Sequence, residues 1–252
     1  EISLGLVGSE MCIRDSYEAQ NVWGMAITNY RQALAMQPNS PDAAATYYRI
    51  GQLHFKARQW NQSYAGYRKA TELDATLKDA WYQQGFIQYV AERYPLVVEP
   101  LEKYVALDQT NSEAFFMLAE SLNKTQRIKM AVPYYKKTVE LDPAKSDAYL
   151  PIGDGLVAEG LYVEAVNSYK KAIIQVTDDA ALYYSLGWVQ TQPEVGQYED
   201  GIVNLKKSIE LDGSSIKPYI QLALVFFDQE RYEEAIPYLE QAISANPSDQ
   251  NP

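Results

Sequence analysis

Apolar side chains in this chain come in paired bursts, each burst at helical spacing and each pair separated by a short polar turn. Between Lys78 and Asp108, Trp81, Gly85 and Gln88-Tyr89 share one helical face, and Arg93-Tyr94-Pro95 interrupts it. Val97, Val98, Leu101, Tyr104 and Val105 then define a second face. Recurrence of this kind marks an amphipathic helix, so the stretch predicts two helices joined by a turn. Pro95 suits the first turn of the second helix, where a missing N–H costs nothing. Leu141-Asp142-Pro143, Leu211-Asp212-Gly213 and Ala245-Asn246-Pro247 each place Pro, Gly or an Asx residue where such a pair must end and the chain must turn.

The pairs recur with a fixed period. Gly51, Gly85, Ala119, Gly153 and Gly187 stand 34 apart, and Ala223 follows at 36. Tyr67, Leu101, Tyr135, Tyr169, Leu205 and Leu239 run in phase, at intervals of 34, 34, 34, 36 and 34. Two series in one register predict a stacked array of a single supersecondary unit. The small residues have a steric purpose. Gly153 on a first helix and Ala165 on a second let the helix axes approach closely, while large aromatics such as Trp81 and Tyr149 fill the gap to the next unit.

The unit from Ser146 reads Tyr149, Ile152, Gly153, Leu156, then Gly160 in the turn, Tyr162, Ala165, Tyr169 and Ala172. The last reads Tyr219, Leu222, Ala223, Phe226, then Tyr232, Ala235, Leu239, Ala242 and Pro247. In these residues the chain resembles the tetratricopeptide repeat, a helix–turn–helix unit of 34 residues, over about residues 17–252. The resemblance implies an all-α, right-handed superhelical solenoid of antiparallel helix pairs. The frame predicts a partial repeat at 17–43 and full repeats at 44–77, 78–111, 112–145, 146–179, 180–215 and 216–249. Two departures stand out. Two extra residues between Gly187 and Gly201 predict a longer turn around 191–197, and Pro151 inside a first helix predicts a kink or a loosened turn.

Neither end of the chain follows the frame. Run backwards, the small-residue place falls on Arg14, which cannot occupy a close helix crossing, and the chain begins with Glu1. Residues 1–16 resemble adaptor read-through peptides found at the ends of metagenomic reading frames, and they are set aside as non-native. At the other end the next aromatic is due at 253, one past Pro252. The expectation is a fragment of a longer array. Its last apolar helix face, with Ile236, Leu239 and Ile243, is then left exposed or covered by another copy.

With 47% hydrophobic and 22% charged residues the chain has the composition of a folded protein. Its 21 tyrosines against 6 phenylalanines suit an array whose aromatics pack at one end and reach water at the other. A net charge of −11 argues against nucleic acid, since phosphate neutralisation needs clustered Lys and Arg. No stretch approaches the roughly 18 consecutive apolar residues of a membrane span. A single cysteine, Cys12, excludes an internal disulfide. The expectation is a soluble bacterial chain, cytoplasmic or periplasmic.

Catalytic chemistry finds little support. His54 is the only histidine, placed on the core side of a first helix where other units carry Gln88, Leu122, Leu156, Gln190 and Phe226. A packed structural role is expected for it. A zinc site and a nucleophilic triad both lack their residues. Gly153-Asp154-Gly155 has no preceding strand and no following Gly-Lys-Ser/Thr, so it is no phosphate loop. Glu233-Glu234 fits a solvated first turn complementing the helix dipole. No active site and no cofactor are expected.

Binding surface remains. In the family the first helices line a concave face that holds extended peptides or helices. The matching positions here are Tyr48, Gln52, Phe55, Tyr82, Phe86, Tyr89, Phe116, Glu120, Asn123, Leu150, Asp154, Val157, Tyr184, Trp188, Leu224 and Phe227. Many are aromatic in any such repeat and serve packing. Phe86, Trp188 and Leu224 stand where generic repeats carry a polar residue, and aromatics in a concavity are frequent binding anchors. Repeats that clamp the carboxylate tail of heat-shock chaperones carry Lys and Asn on successive inner faces. Tyr48, Gln52, Tyr82 and Phe86 occupy those places, so that clamp is absent from the full repeats. The expected function is a protein-interaction scaffold binding an amphipathic segment of a partner. The rivals are the substrate-recruiting part of a larger enzyme, such as a glycosyltransferase, peptidase or kinase, and a bacterial envelope assembly factor.

Overall fold

The computed structural model describes residues 23–38 and 40–245. Residues 1–16 with Cys12, Tyr17, and Asn246-Pro247, singled out above, lie outside the described residues. Within them are thirteen α-helices and no strand: α1 (Trp23–Met36), α2 (Ala43–Lys56), α3 (Trp60–Leu73), α4 (Lys78–Val90), α5 (Tyr94–Leu107), α6 (Ser112–Lys124), α7 (Ile128–Leu141), α8 (Tyr149–Ala158), α9 (Tyr162–Gln175), α10 (Ala180–Gln190), α11 (Tyr198–Leu211), α12 (Ile216–Asp228) and α13 (Tyr232–Ala245). Helices α2 and α3, α4 and α5, α8 and α9, α10 and α11, and α12 and α13 pack as consecutive pairs. The chain divides into two compact units between Ser121 and Leu122.

One device closes every hairpin turn. Arg58, Glu92, Gln126, Gly160 and Glu230 adopt left-handed backbone, with φ of 56°, 55°, 63°, 76° and 60°. The next residue in each case donates its N–H to the carbonyl five positions back. These bonds run from Gln59 to His54 (2.8 Å), Arg93 to Gln88 (2.9 Å), Arg127 to Leu122 (2.9 Å), Leu161 to Leu156 (2.8 Å) and Arg231 to Phe226 (2.8 Å). This is the Schellman arrangement, which satisfies carbonyls that a helix end would leave orphaned. At the longer turn, 191–197, Gly196 supplies the left-handed residue at φ 64° and Gln197 donates to Gln190 at 3.0 Å.

The ends of the second helices use carboxylates. Asp74, Asp108, Asp142 and Asp212 each donate backbone N–H to the fourth carbonyl back, at 2.8, 2.8, 2.8 and 2.9 Å. Their Oδ1 atoms accept from the N–H groups of Thr76, Thr110, Ala144 and Ser214 respectively, at 2.9, 2.9, 3.1 and 3.0 Å. Such Asx turns end the helix and start the reversal. Asp108 also accepts from Lys78 Nζ at 2.7 Å, tying the end of α5 to the start of α4. The Lys78 ammonium, then the Thr110 hydroxyl and N–H, hold the Asp108 carboxyl far below its ordinary value of 3.8. A depressed folded pKa means the stabilisation is present above the ordinary value and is lost as pH falls through the folded one. Lys78→Met is expected to move the Asp108 carboxyl titration upward, read by 13C NMR, with Thr110 retaining part of the depression.

Pro151 falls in the first turn of α8, preceded by a 3-10 turn at Ser146–Ala148. A backbone N–H has no intrahelical acceptor there, so the proline removes no α-helical bond and the loosening is confined to the 3-10 lead-in.

Small residues set the helix separation. A Cβ on Gly66 of α3 would stand 2.8 Å from both the Cα and the N of Gly51 in α2, backbone against backbone. In the pair α8–α9, a Cβ on Gly153 would lie 2.3 Å from Tyr169 Cε1, while Ala165 is fully buried. Buried hydroxyls stitch the same crossings: Ser63 Oγ donates to the Gly51 carbonyl at 2.9 Å and Ser168 Oγ to that of Tyr149 at 2.7 Å. The cores are built from the apolar series, with Tyr67, Leu101, Tyr135, Tyr169 and Leu205 all buried.

Candidate partner-binding face

In the N-terminal unit the first helices carry a connected row of rings. Phe55 of α2 packs edge-on against Trp60 at 5.1 Å and lies 6.1 Å from Phe86 of α4. Phe86 stacks on Tyr82 at 6.2 Å, and Tyr82 contacts Tyr104 at 5.1 Å. Phe55, Tyr82 and Phe86 are thus brought together, each half-buried. Tyr48 instead turns toward the buried Tyr67, 5.5 Å away. Gln52 is half-buried and accepts from Arg49 at 3.1 Å. Tyr89 packs on Tyr94 and donates its hydroxyl to the Glu120 carboxylate of α6. Burial first, then the hydrogen bond to Glu120, raises the Tyr89 phenol above its ordinary value, so it stays protonated. Phe116 is half-buried on the same helix.

In the C-terminal unit Asn123, Leu150 and Val157 are half-buried. Asp154 accepts from Tyr169 Oη at 2.7 Å. Asp154 keeps exposed surface, yet desolvation of its carboxyl raises it and the Tyr169 bond opposes that shift, so this pair is engaged within its own hairpin. Tyr184 packs against the core around Leu205 and Leu222, and burial raises its phenol. Trp188 stands edge-on to Tyr162 at 5.9 Å. Leu224 and Phe227 of α12 are the open positions, 50% and 59% exposed, with Tyr232 against Phe227 at 5.2 Å.

The ring that opens most second helices was not among the candidate face residues, although Tyr162 and Tyr232 were read as positions of the repeat. Trp60, Tyr94, Tyr162, Tyr198 and Tyr232 open α3, α5, α9, α11 and α13, and Ile128 opens α7. Three of them, Trp60, Tyr94 and Tyr232, close over Phe55, Tyr89 and Phe227 five residues earlier. Their spacing of 34, 34, 34, 36 and 34 was in the sequence and could have found them.

His54 is buried with both ring nitrogens engaged, Nδ1 at 2.6 Å from Gln59 Oε1 and Nε2 at 3.4 Å from Arg31 Nη2. Among the described residues no group of three His, Cys, Asp or Glu is placed to hold a metal ion, and no helix is long and apolar enough to cross a membrane.

An all-α chain of hairpins with small residues at each crossing and aromatics on the first helices defines a helical-repeat interaction fold. Family models described as tetratricopeptide repeat match residues 112–145 and 216–249. YrrB, a tetratricopeptide repeat protein with an unusual peptide-binding site, shares 25% identity over 75% of this chain and 95% of its own, with a TM-score of 0.58. MamA is similar in fold, at 22% identity over 65% of this chain and 94% of its own, TM-score 0.58. MamA from Desulfovibrio magneticus RS-1 (residue 41 to its end) is similar at 18% identity over 71% and 98%, TM-score 0.58. No curated protein sequence matches the chain. The chain carries tetratricopeptide repeats at these residues and shares the fold of tetratricopeptide repeat proteins, a fold that serves protein–protein interaction.

Proposed function

We propose that this chain is a non-enzymatic scaffold that takes a peptide or helical segment of a protein partner on its first-helix faces. The observation that carries the reading is the half-exposed apolar surface on those helices within each unit, Phe55 and Phe86 in the N-terminal one and Leu224 and Phe227 in the C-terminal one. Fully sealed rings would serve packing alone; rings that keep water-facing surface on a rigid helix can anchor a partner. The likeness to YrrB supports a peptide as the occupant. The acidic balance, 33 Asp and Glu against 22 Lys and Arg, favours protein over nucleic acid. The Phe86→Ala/Trp188→Ala double variant is expected to keep its helical circular dichroism. It is expected to hold partners identified with the parent chain at least about tenfold more weakly. Undiminished binding of every partner would place the site elsewhere.

A second reading concerns α13. Ile236, Leu239 and Ile243 are 54%, 48% and 56% exposed along one helix face. Contiguous apolar surface of this kind supports self-association through that helix.

A further inference from the structure

A cavity of about 800 Å³ lies in the N-terminal unit between the start of α3, the end of α4 and the start of α5. Phe55, Phe86 and Ile87 wall it, and Trp60, Val90 and Leu96 line it while remaining 46%, 63% and 53% exposed. Large apolar side chains facing water around one concavity are the mark of a surface meant to be covered.

One polar group in this wall is unsatisfied. Gln88 is 4% exposed, lines the cavity, and its Oε1 has no hydrogen-bond partner. The equivalent polar side chains elsewhere in the fold are paired across their turns, His54 with Gln59 at 2.6 Å and Gln190 with Gln197 at 3.1 Å. Here the residue after the turn is Arg93, a cation that is exposed and also lines the cavity. A buried amide left unpaired is costly, and Leu122, Leu156 and Phe226 show that the frame accepts an apolar residue at this place. The Gln88 Oε1 and the Arg93 guanidinium are therefore both available to an incoming group.

We infer that this cavity receives a tyrosine side chain from an extended segment of a partner protein, with an acidic residue beside that tyrosine. The ring meets the walls formed by Phe55, Phe86 and Leu96. A phenolic hydroxyl donates a hydrogen bond, which the unpaired Gln88 Oε1 accepts. A neighbouring carboxylate meets Arg93. The volume exceeds a single side chain and admits the flanking residues, which selects a peptide over a lone ring. The inference shares Phe55 and Phe86 with the first-helix face but does not depend on partner capture there.

The test is a 15N NMR titration of the full chain with acetyl-Glu-Ala-Tyr-Glu-Ala-amide, read at the Trp60 indole, beside the same peptide with Phe for Tyr. The Tyr peptide is expected to bind about fivefold more tightly, the worth of one hydrogen bond. Gln88→Met, similar in length but without the amide, is expected to bring the two peptides within about twofold of each other while leaving the Phe peptide unchanged. Arg93→Glu, at an exposed position, is expected to weaken both acidic peptides about fivefold and keeps the test open were Gln88→Met to unfold. Trp188→Ala should leave all of these values in place, which separates this site from the first-helix reading. Equal binding of the two peptides, or no shift at the Trp60 indole, overturns the inference. Equal affinity for p-cresol would make the cavity a small-phenol site. A Trp60 shift driven by protein concentration alone would give it to a second copy, and either result overturns the peptide assignment.

Discussion

Gly153→Arg is expected to lower the midpoint of thermal unfolding by on the order of 10 °C, a loss of roughly 3 kcal/mol or more. The cause is local and severe. A Cβ at this position would stand 2.3 Å from Tyr169 Cε1 and 2.6 Å from its Cδ1. Tyr169 cannot withdraw without cost, because it is 2% exposed and its hydroxyl is committed to Asp154 at 2.7 Å. Arginine adds a charge to a close-packed crossing, so desolvation compounds the overpacking. The check is a melt followed by circular dichroism at 222 nm. A midpoint equal to the parent's would show that α8 and α9 are not held at this separation.

Gly66→Ala is the sharper case, because two effects of opposite sign compete. In a helix interior alanine is favoured over glycine by about 1 kcal/mol. Against this, the new methyl would lie 2.8 Å from the Cα and N of Gly51 and 3.1 Å from the Tyr47 carbonyl oxygen. All three are backbone atoms, so no rotamer change relieves them and the whole of α2 must shift. Overpacking of this kind costs about 1–3 kcal/mol, and the rigid neighbour puts the case at the upper end. The expected net loss is about 2 kcal/mol by urea denaturation. Gly24→Ala is the control, since a Cβ there meets nothing within 4 Å, and it is expected to stabilise by up to about 1 kcal/mol.

These crossings show what the sequence made legible. Gly51 and Gly153 were found by their period, because a close approach between helices leaves a small residue at a fixed place. Gly66 was not, since in the α4–α5 and α8–α9 hairpins a single glycine meets Leu101 or Tyr169, and only the α2–α3 and α10–α11 pairs set one glycine against another. The left-handed turn residues were hidden for a different reason. Arg58, Glu92, Gln126 and Glu230 occupy backbone that side chains adopt at a cost of roughly 1 kcal/mol. The closing hydrogen bonds hold them there, and a residue type carries no trace of a bond made by the backbone. The face residues divide likewise. Leu224 and Phe227 are exposed on α12. Phe86 stands between Phe55 and Tyr82, and Asp154 is engaged by Tyr169, contacts that depend on rotamers and not on register. Gln88 was legible only as one more core-facing position; its unpaired oxygen emerges from comparing its surroundings with those of His54 and Gln190.

The closing bond of each hairpin has a consequence for how such a chain can diversify. At five turns it spans five residues, and at 191–197 it spans seven, from Gln197 to Gln190, with Gly196 still left-handed. What is conserved between the two versions is a bond geometry, while the residue count is free to change. The helices on either side of the longer turn still meet through Gly187 and Gly201, as their shorter-turned counterparts do through Gly51 and Gly66. The turn edge therefore works as a splice point. Chain can be added there to build a new loop beside an existing surface, and the joints that hold the helix pairs never register the change.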